Sequence, residues 1–245
     1  MIIMRKYFLP ILLLSLVLSS CRHFFGRHVH GNGNLKTEER TVSSFKDMQV
    51  SSTANVYLTQ GDLKPVKIEG DENLLAYVEV YQEGDRLVIK NRDGYNLDMN
   101  NGSIKIYVTA PQFHHISVSG AGDINGENKI TSSEELEMNL SGAGNIKMEV
   151  DAPKVSADIS GVGSIYLNGK TKDVDLGISG AGSAHCYDLM AENTDVTISG
   201  VGSAEVYASV KLDATVSGAG SVDYKGNAAQ VNQHVSGVGS VNKKD

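Results

Sequence analysis

His185 and Cys186 stand side by side, the residue types that a thiol nucleophile and its base require. They lie in Ser183-Ala184-His185-Cys186-Tyr187, which reads as a strand. Successive strand side chains point to opposite faces. The alternation therefore puts Cys186 in the interior and His185 in solvent, so the two cannot cooperate. The cysteine reads as structural. His23, His28 and His30 have no cysteine or carboxylate at ligand spacing and read as incidental. Catalysis needs convergent titratable groups, and none is legible. No catalytic, metal-binding or cofactor-binding residue is assigned, and the chain is read as a non-enzyme.

Two outward columns carry the remaining chemistry. Asp175, Asp195 and Asp213 each fall four residues before a repeated Ser-Gly-(Ala/Val)-Gly motif, with Asp158 one column over. Like charges facing each other across a ladder destabilise it, and a cation held by carboxylate oxygens would offset that. The plainer reading is a solvated acidic face that discourages pairing with other sheets. Tyr187 and Tyr207 share a second offset, eight residues after the motif serine, and are expected to stack. They would hold a sugar or simply cover the strand. These five residues form the candidate interaction surface.

The elements that position them follow from the motif. Seven copies begin at Ser119, Ser141, Ser160, Ser179, Ser199, Ser217 and Ser236, separated by 22, 19, 19, 20, 18 and 19 residues. Such a period signals a stacked solenoid. The residue before each motif is apolar: Val118, Leu140, Ile159, Ile178, Ile198, Val216 and Val235. Ile124, Ile146, Ile165, Ala184, Ala204, Val222 and Val241 form a second apolar column after it, and Met148, Leu167, Cys186, Val206 and Tyr224 a third. Two short strands per coil thus face one interior. The expected fold is all-β, a right-handed parallel β-helix with coils of about 20 residues. The motif glycines serve either positive φ or close backbone approach. They are not a phosphate loop, because strands rather than helix N-termini follow them.

Residues 41–115 read as an N-terminal β cap and first coils with hairpin insertions, and residues 116–245 as the repeat coils of the same domain. Val50-Ser51-Ser52-Thr53-Ala54-Asn55-Val56 aligns with Val118 to Ile124 as a worn copy of the repeat. Residues 1–20 read as a lipoprotein signal peptide: Arg5 and Lys6, an apolar run too short to span a bilayer, then Leu18-Ser19-Ser20-Cys21. Cys21 would be lipidated and anchor the chain through its acyl groups. Residues 21–40 read as a flexible tether. Loss of Arg5 and Lys6 takes the formal charge from −7 to −9. An acidic chain without basic clusters is a poor nucleic-acid partner. Arg22, in place of Asp after the cysteine, favours the outer membrane.

The chain resembles the head GIN domain family, labelled putative auto-transporter adhesins and common among Bacteroidetes lipoproteins. The matching stretches are Gly31-Asn32-Gly33-Asn34, Val56-Tyr57-Leu58-Thr59-Gln60-Gly61, Asp71-Glu72-Asn73-Leu74-Leu75, Ile104 to Pro111, and the Ser-Gly-Ala-Gly-Asp run from Ser119. The resemblance implies a β-helix-like fold and no catalytic residues. The resulting expectation is a lipid-anchored envelope protein whose repetitive surface binds a protein or glycan of the envelope or host. A periplasmic scaffold in envelope signalling and a glycan-active β-helix enzyme are the alternatives.

Overall fold

The computed structural model describes residues 26–100 and 102–245. The signal peptide and Cys21 lie outside the described residues. The elements in chain order begin with β1 (Arg27–His30), β2 (Leu35–Arg40), β3 (Asp47–Ser51), β4 (Asn55–Gln60), β5 (Val66–Asp71), α1 (Glu72–Leu75), β6 (Val78–Glu83), β7 (Arg86–Asn91), β8 (Tyr95–Asp98) and β9 (Lys105–Ala110). The coils follow as β10 (His115–Val118), β11 (Ile124–Gly126), β12 (Ile130–Thr131), β13 (Leu136–Leu140), β14 (Asn145–Ile159), β15 (Ser164–Ile178), β16 (Ser183–His185) and β17 (Leu189–Met190). The last are β18 (Asn193–Ile198), β19 (Ser203–Tyr207), β20 (Lys211–Val216), β21 (Ser221–Lys225), β22 (Gln230–Val235) and β23 (Ser240–Lys243).

These strands stack as a β-solenoid with two broad faces joined at the motif. Face one runs β7–β3–β10–β13–β14–β15–β18–β20–β22, all parallel. Face two runs β9–β4–β11–β14–β15–β16–β19–β21–β23, also parallel. The long strands β14 and β15 serve both faces because the chain turns within them. The worn first copy stacks as expected, with Val50 opposite Val118 and Val56 opposite Ile124.

The inward columns make the core. Ile116, Met138, Leu176 and Val196 from face one, and Ile124, Ile146, Ile165 and Val222 from face two, are at most 1% exposed. Each such aliphatic side chain contributes about 1.5–3 kcal/mol on burial. The motif glycines in the coils have no positive φ among the described residues. Close approach is the reason for them. The amide of Ala143 donates to the Gly120 carbonyl one coil below at 3.0 Å, and Val162, Ala181 and Val201 repeat this contact on Gly142, Gly161 and Gly180 at the same distance. A Cβ on Gly142, Gly161, Gly180 or Gly200 would overlap the carbonyl oxygen beneath it. The residue between the glycines points outward: Val162, Val201 and Val238 are 70%, 67% and 87% exposed.

The N-terminal end is closed by antiparallel strands. β6 and β7 form a hairpin whose turn uses Gly84 at φ +62, and α1 buries Leu74 and Leu75 against the end of the core. The expected tether is corrected here. From Arg27 onward the chain is ordered as β1, parallel to β8, and β2, antiparallel to β5. Its sequence hides this because β2 is an exposed edge, held by backbone pairing and by polar side-chain contacts to α1 rather than by an apolar face. Lys36 meets Glu72 at 3.1 Å, and the Arg40 guanidinium donates to the Leu75 carbonyl at 3.4 Å. The Gly31-Asn32-Gly33-Asn34 turn fastens this edge to the helix. Asn32 donates its amide to Asn73 Oδ1 at 2.9 Å, Asn73 Nδ2 donates to the His30 carbonyl at 2.8 Å, and Glu72 donates its amide to the Asn34 carbonyl at 2.9 Å. The buried Asp71 carboxylate fills the space where a Gly31 side chain would stand.

The register predicts a sharp contrast between neighbours. Ile198 is 0% exposed while Thr197 faces solvent. Ile198→Asp is expected to cost about 3–5 kcal/mol by burying an unpaired charge, and Thr197→Asp less than about 1 kcal/mol. Gly200→Val should be as severe as Ile198→Asp. Urea unfolding of the three variants checks this; equal losses at 197 and 198 would refute the alternation.

Candidate functional site

On face one the acidic column is in register. Asp175 lies opposite Asp195, and Asp195 opposite Asp213. Ser156 and Glu137 continue the column on the N-terminal side and Asn232 on the C-terminal side. The three carboxylates are not equivalent. Asp213 is held below the usual carboxylate range by the Lys211 ammonium, 2.5 Å away, and by Asn232, whose amide donates to it at 2.6 Å. Asp195 is pushed up, first by partial burial and then by Asp175 and Asp213 on either side, with Lys211 opposing. Asp158 lies opposite Gly177 and leans over it, where a Cβ would collide with its carboxylate. It too is pushed up, by burial and then by Asp175 and Glu137. Among the described residues no three His, Cys, Asp or Glu side chains converge as metal ligands.

On face two the expected tyrosine stack is absent. Tyr166 pairs with His185 and Gly169 with Leu189, so two residues on β15 face three on the next coil. The extra residue makes a turn at Tyr187-Asp188 and takes Tyr187 out of the ladder. Tyr187 and Tyr207 are therefore out of register despite their equal offsets. The Lys225 ammonium lies 5.1 Å from the centroid of the Tyr187 ring instead. The stacked pair is Tyr166 and His185, with centroids 4.6 Å apart and planes at 13°. On the following coil Glu205 Oε2 lies 2.7 Å from His185 Nδ1. Beside them runs an open groove of about 480 Å³, whose lining includes Lys147, Tyr166, Asn168, His185, Tyr187 and Glu205. Tyr166, His185 and Glu205 share an offset of six residues from their motif serines. That offset was the sequence signal for this column; the offset of eight was the misleading one.

Cys186 is 2% exposed and its thiol is pushed up to about 12 by burial. Its neighbour His185 projects to the other side of the strand, as the alternation requires.

The model of a family described as "putative auto-transporter adhesin, head GIN domain" matches residues 44–228. The chain belongs to the head GIN domain family. Two crystal structures with the same architecture are described as putative adhesins. One, from Bacteroides fragilis, is 27% identical, has a TM-score of 0.83, and the match covers 88% of this chain and 100% of that one. The other, from Parabacteroides distasonis, is 27% identical with a TM-score of 0.70, covering 89% and 100%. A third, described as a putative lipid binding protein from Parabacteroides distasonis, is 23% identical with a TM-score of 0.70 over 89% and 100%, and shares the fold. No curated protein matches the chain. The relatives of this head GIN domain are thus adhesin-like, and the name points to the cell envelope or surface. No described helix is long and apolar enough to cross a membrane.

Two measurements test the site chemistry. Asp195→Asn should stabilise the protein by roughly 0.2–1 kcal/mol at neutral pH, because it removes a like charge from the ladder. A carboxyl with a raised folded pKa is penalised above that pKa and relieved below the unfolded one. The advantage of the variant should therefore vanish on acidification through the carboxylate range, and an advantage constant with pH would contradict the account. The Cys186 thiol should resist a disulfide-exchange reagent in the native protein and react on unfolding. Rapid native labelling would show that the column is misplaced.

Proposed function

We propose that the chain is a non-catalytic adhesion or binding protein of the cell envelope, held at the outer membrane by a lipid on Cys21, that takes its ligand on the lateral faces of the solenoid. The observation that carries this is the surface itself: long, regular outward columns and a shallow groove, with no cysteine in contact with a histidine among the described residues. Cys186 is buried with a raised thiol pKa, while His185 is engaged by Glu205. Open, ladder-like surfaces suit extended partners, whereas small-molecule enzymes enclose their substrates. The adhesin-like relatives support the same reading.

The anchor and the adhesion are tested together. Cys21→Ala should move the protein from the membrane fraction to the soluble fraction and remove acyl mass from the mature chain, because acyl burial is what holds it. Cells carrying the wild type should adhere to host or bacterial surfaces more than cells carrying the variant. Unchanged partitioning with no acyl mass on the wild type would sink the lipoprotein reading, and equal adhesion would sink the adhesion reading.

A further inference from the structure

We infer that the groove beside Tyr166 and His185 is a subsite for an uncharged oligosaccharide. The inference rests on the binding reading above and gives it a place and a ligand class. Its first support is the break in the repeat. The chain inserts one extra residue between His185 and Leu189, where the coil below needs only Leu167 and Asn168. Bulges re-aim side chains and recur beside functional sites. This one swings Tyr187 out of the ladder and opens the groove against Tyr166 and His185.

The lining then selects the ligand. Sugars present C–H surfaces to aromatic rings and hydroxyl edges to planar polar groups. The groove offers both. Tyr166 is 40% exposed, and the half-buried Tyr187 lines the same groove. Asn168 makes no side-chain hydrogen bond among the described residues, and its amide faces the groove as both donor and acceptor. The Lys147 ammonium has no ion-pair partner among the described residues. His185 uses Nδ1 on Glu205 Oε2, leaving Nε2 and Glu205 Oε1 for a ligand.

Charge and backbone exclude other occupants. The groove lining sets one ammonium, Lys147, against two carboxylates, Glu205 and Asp188, in a chain of net charge −7. An anionic polymer gains nothing there, and a neutral one is not repelled. An extended peptide binds by adding a strand to an open sheet edge. The groove lies in mid-sheet, where β15 is already paired with β14 on one side and with β16 and β17 on the other. Recognition must come from side chains. The groove is also shallow and continuous with the column along the solenoid axis, which suits a chain of sugar rings better than a single one.

Isothermal titration of the purified chain against uncharged gluco-, manno- and N-acetylglucosamine oligosaccharides, with charged uronate and sulfated glycans as comparison, tests this. Uncharged oligosaccharides should bind, and longer ones more tightly. Tyr166→Ala, Asn168→Ala and Tyr187→Ala should each weaken binding about tenfold or more, while Asp195→Asn on face one leaves it unchanged. Melting curves accompany each variant; Asn168 is exposed and its side chain makes no hydrogen bond among the described residues, so its variant keeps the test meaningful if a tyrosine variant fails to fold. Absence of binding by any uncharged glycan overturns the inference. So does binding that ignores all three substitutions, or equal or tighter binding of the charged glycans. If cells carrying Tyr187→Ala still adhere while no glycan binds, the glycan assignment fails and the adhesion reading stands. If adhesion itself is absent in the wild type, the broader reading fails first.

Discussion

Everything in this fold depends on how closely one coil can lie on the next at the motif. There the amide of the residue between the glycines reaches the glycine carbonyl one coil below, as Val162 reaches Gly142 and Val201 reaches Gly180, each at 3.0 Å. The carbonyl occupies the volume a Cβ would need. Any side chain at the first glycine would push the coils apart and break the backbone ladder on both adjoining faces. Steric exclusion, rather than left-handed backbone geometry, therefore keeps glycine in the motif. The outward alanine or valine sits in open solvent and is under no such demand.

Stacking in register has a chemical consequence: every residue meets its counterpart in the next coil. Apolar residues gain from this, and the core is continuous. Polar residues gain where donors meet acceptors. Asn145 donates its amide to Asp123 Oδ1 at 2.9 Å, and Ser164 donates its own to Asn145 Oδ1 at 3.1 Å. Carboxylates lose, and the Asp175–Asp195–Asp213 column is the result. Its cost is limited by solvent and by Lys211 at one end, which is why Asp213 is lowered while Asp195 is raised. The groove on face two arises from the opposite event, a local failure of register. One extra residue releases Tyr187 from its column beside the groove.

The cap solves a different problem. A solenoid end exposes core and unpaired strand edges. Here antiparallel strands β2, β5 and β6 flank the first coil, and Leu74 and Leu75 of α1 plug the core. The Gly31–Asn34 turn and the buried Asp71 lock β2 to that plug. The part of the chain that looks least structured in the sequence is thus the part that finishes the domain.

The solenoid, its period and its inside–outside register were legible in the sequence, because they follow from local rules: period-2 alternation, a motif recurring near every 19 residues, and apolar residues at constant offsets. Ile178 and Ile198 inside, Asp175 and Asp195 outside and in line, and Cys186 buried beside an outward His185 all came from counting. Three things did not. Whether the motif glycines serve backbone freedom or close approach was decided by the neighbouring coil, which no single coil contains. The ordering of residues 27–40 was decided by an edge partner distant in the chain, through backbone hydrogen bonds that leave no apolar pattern. The groove was decided by a one-residue bulge: equal offsets placed Tyr187 under Tyr207 only if register held, and cross-strand pairing alone determines where register slips.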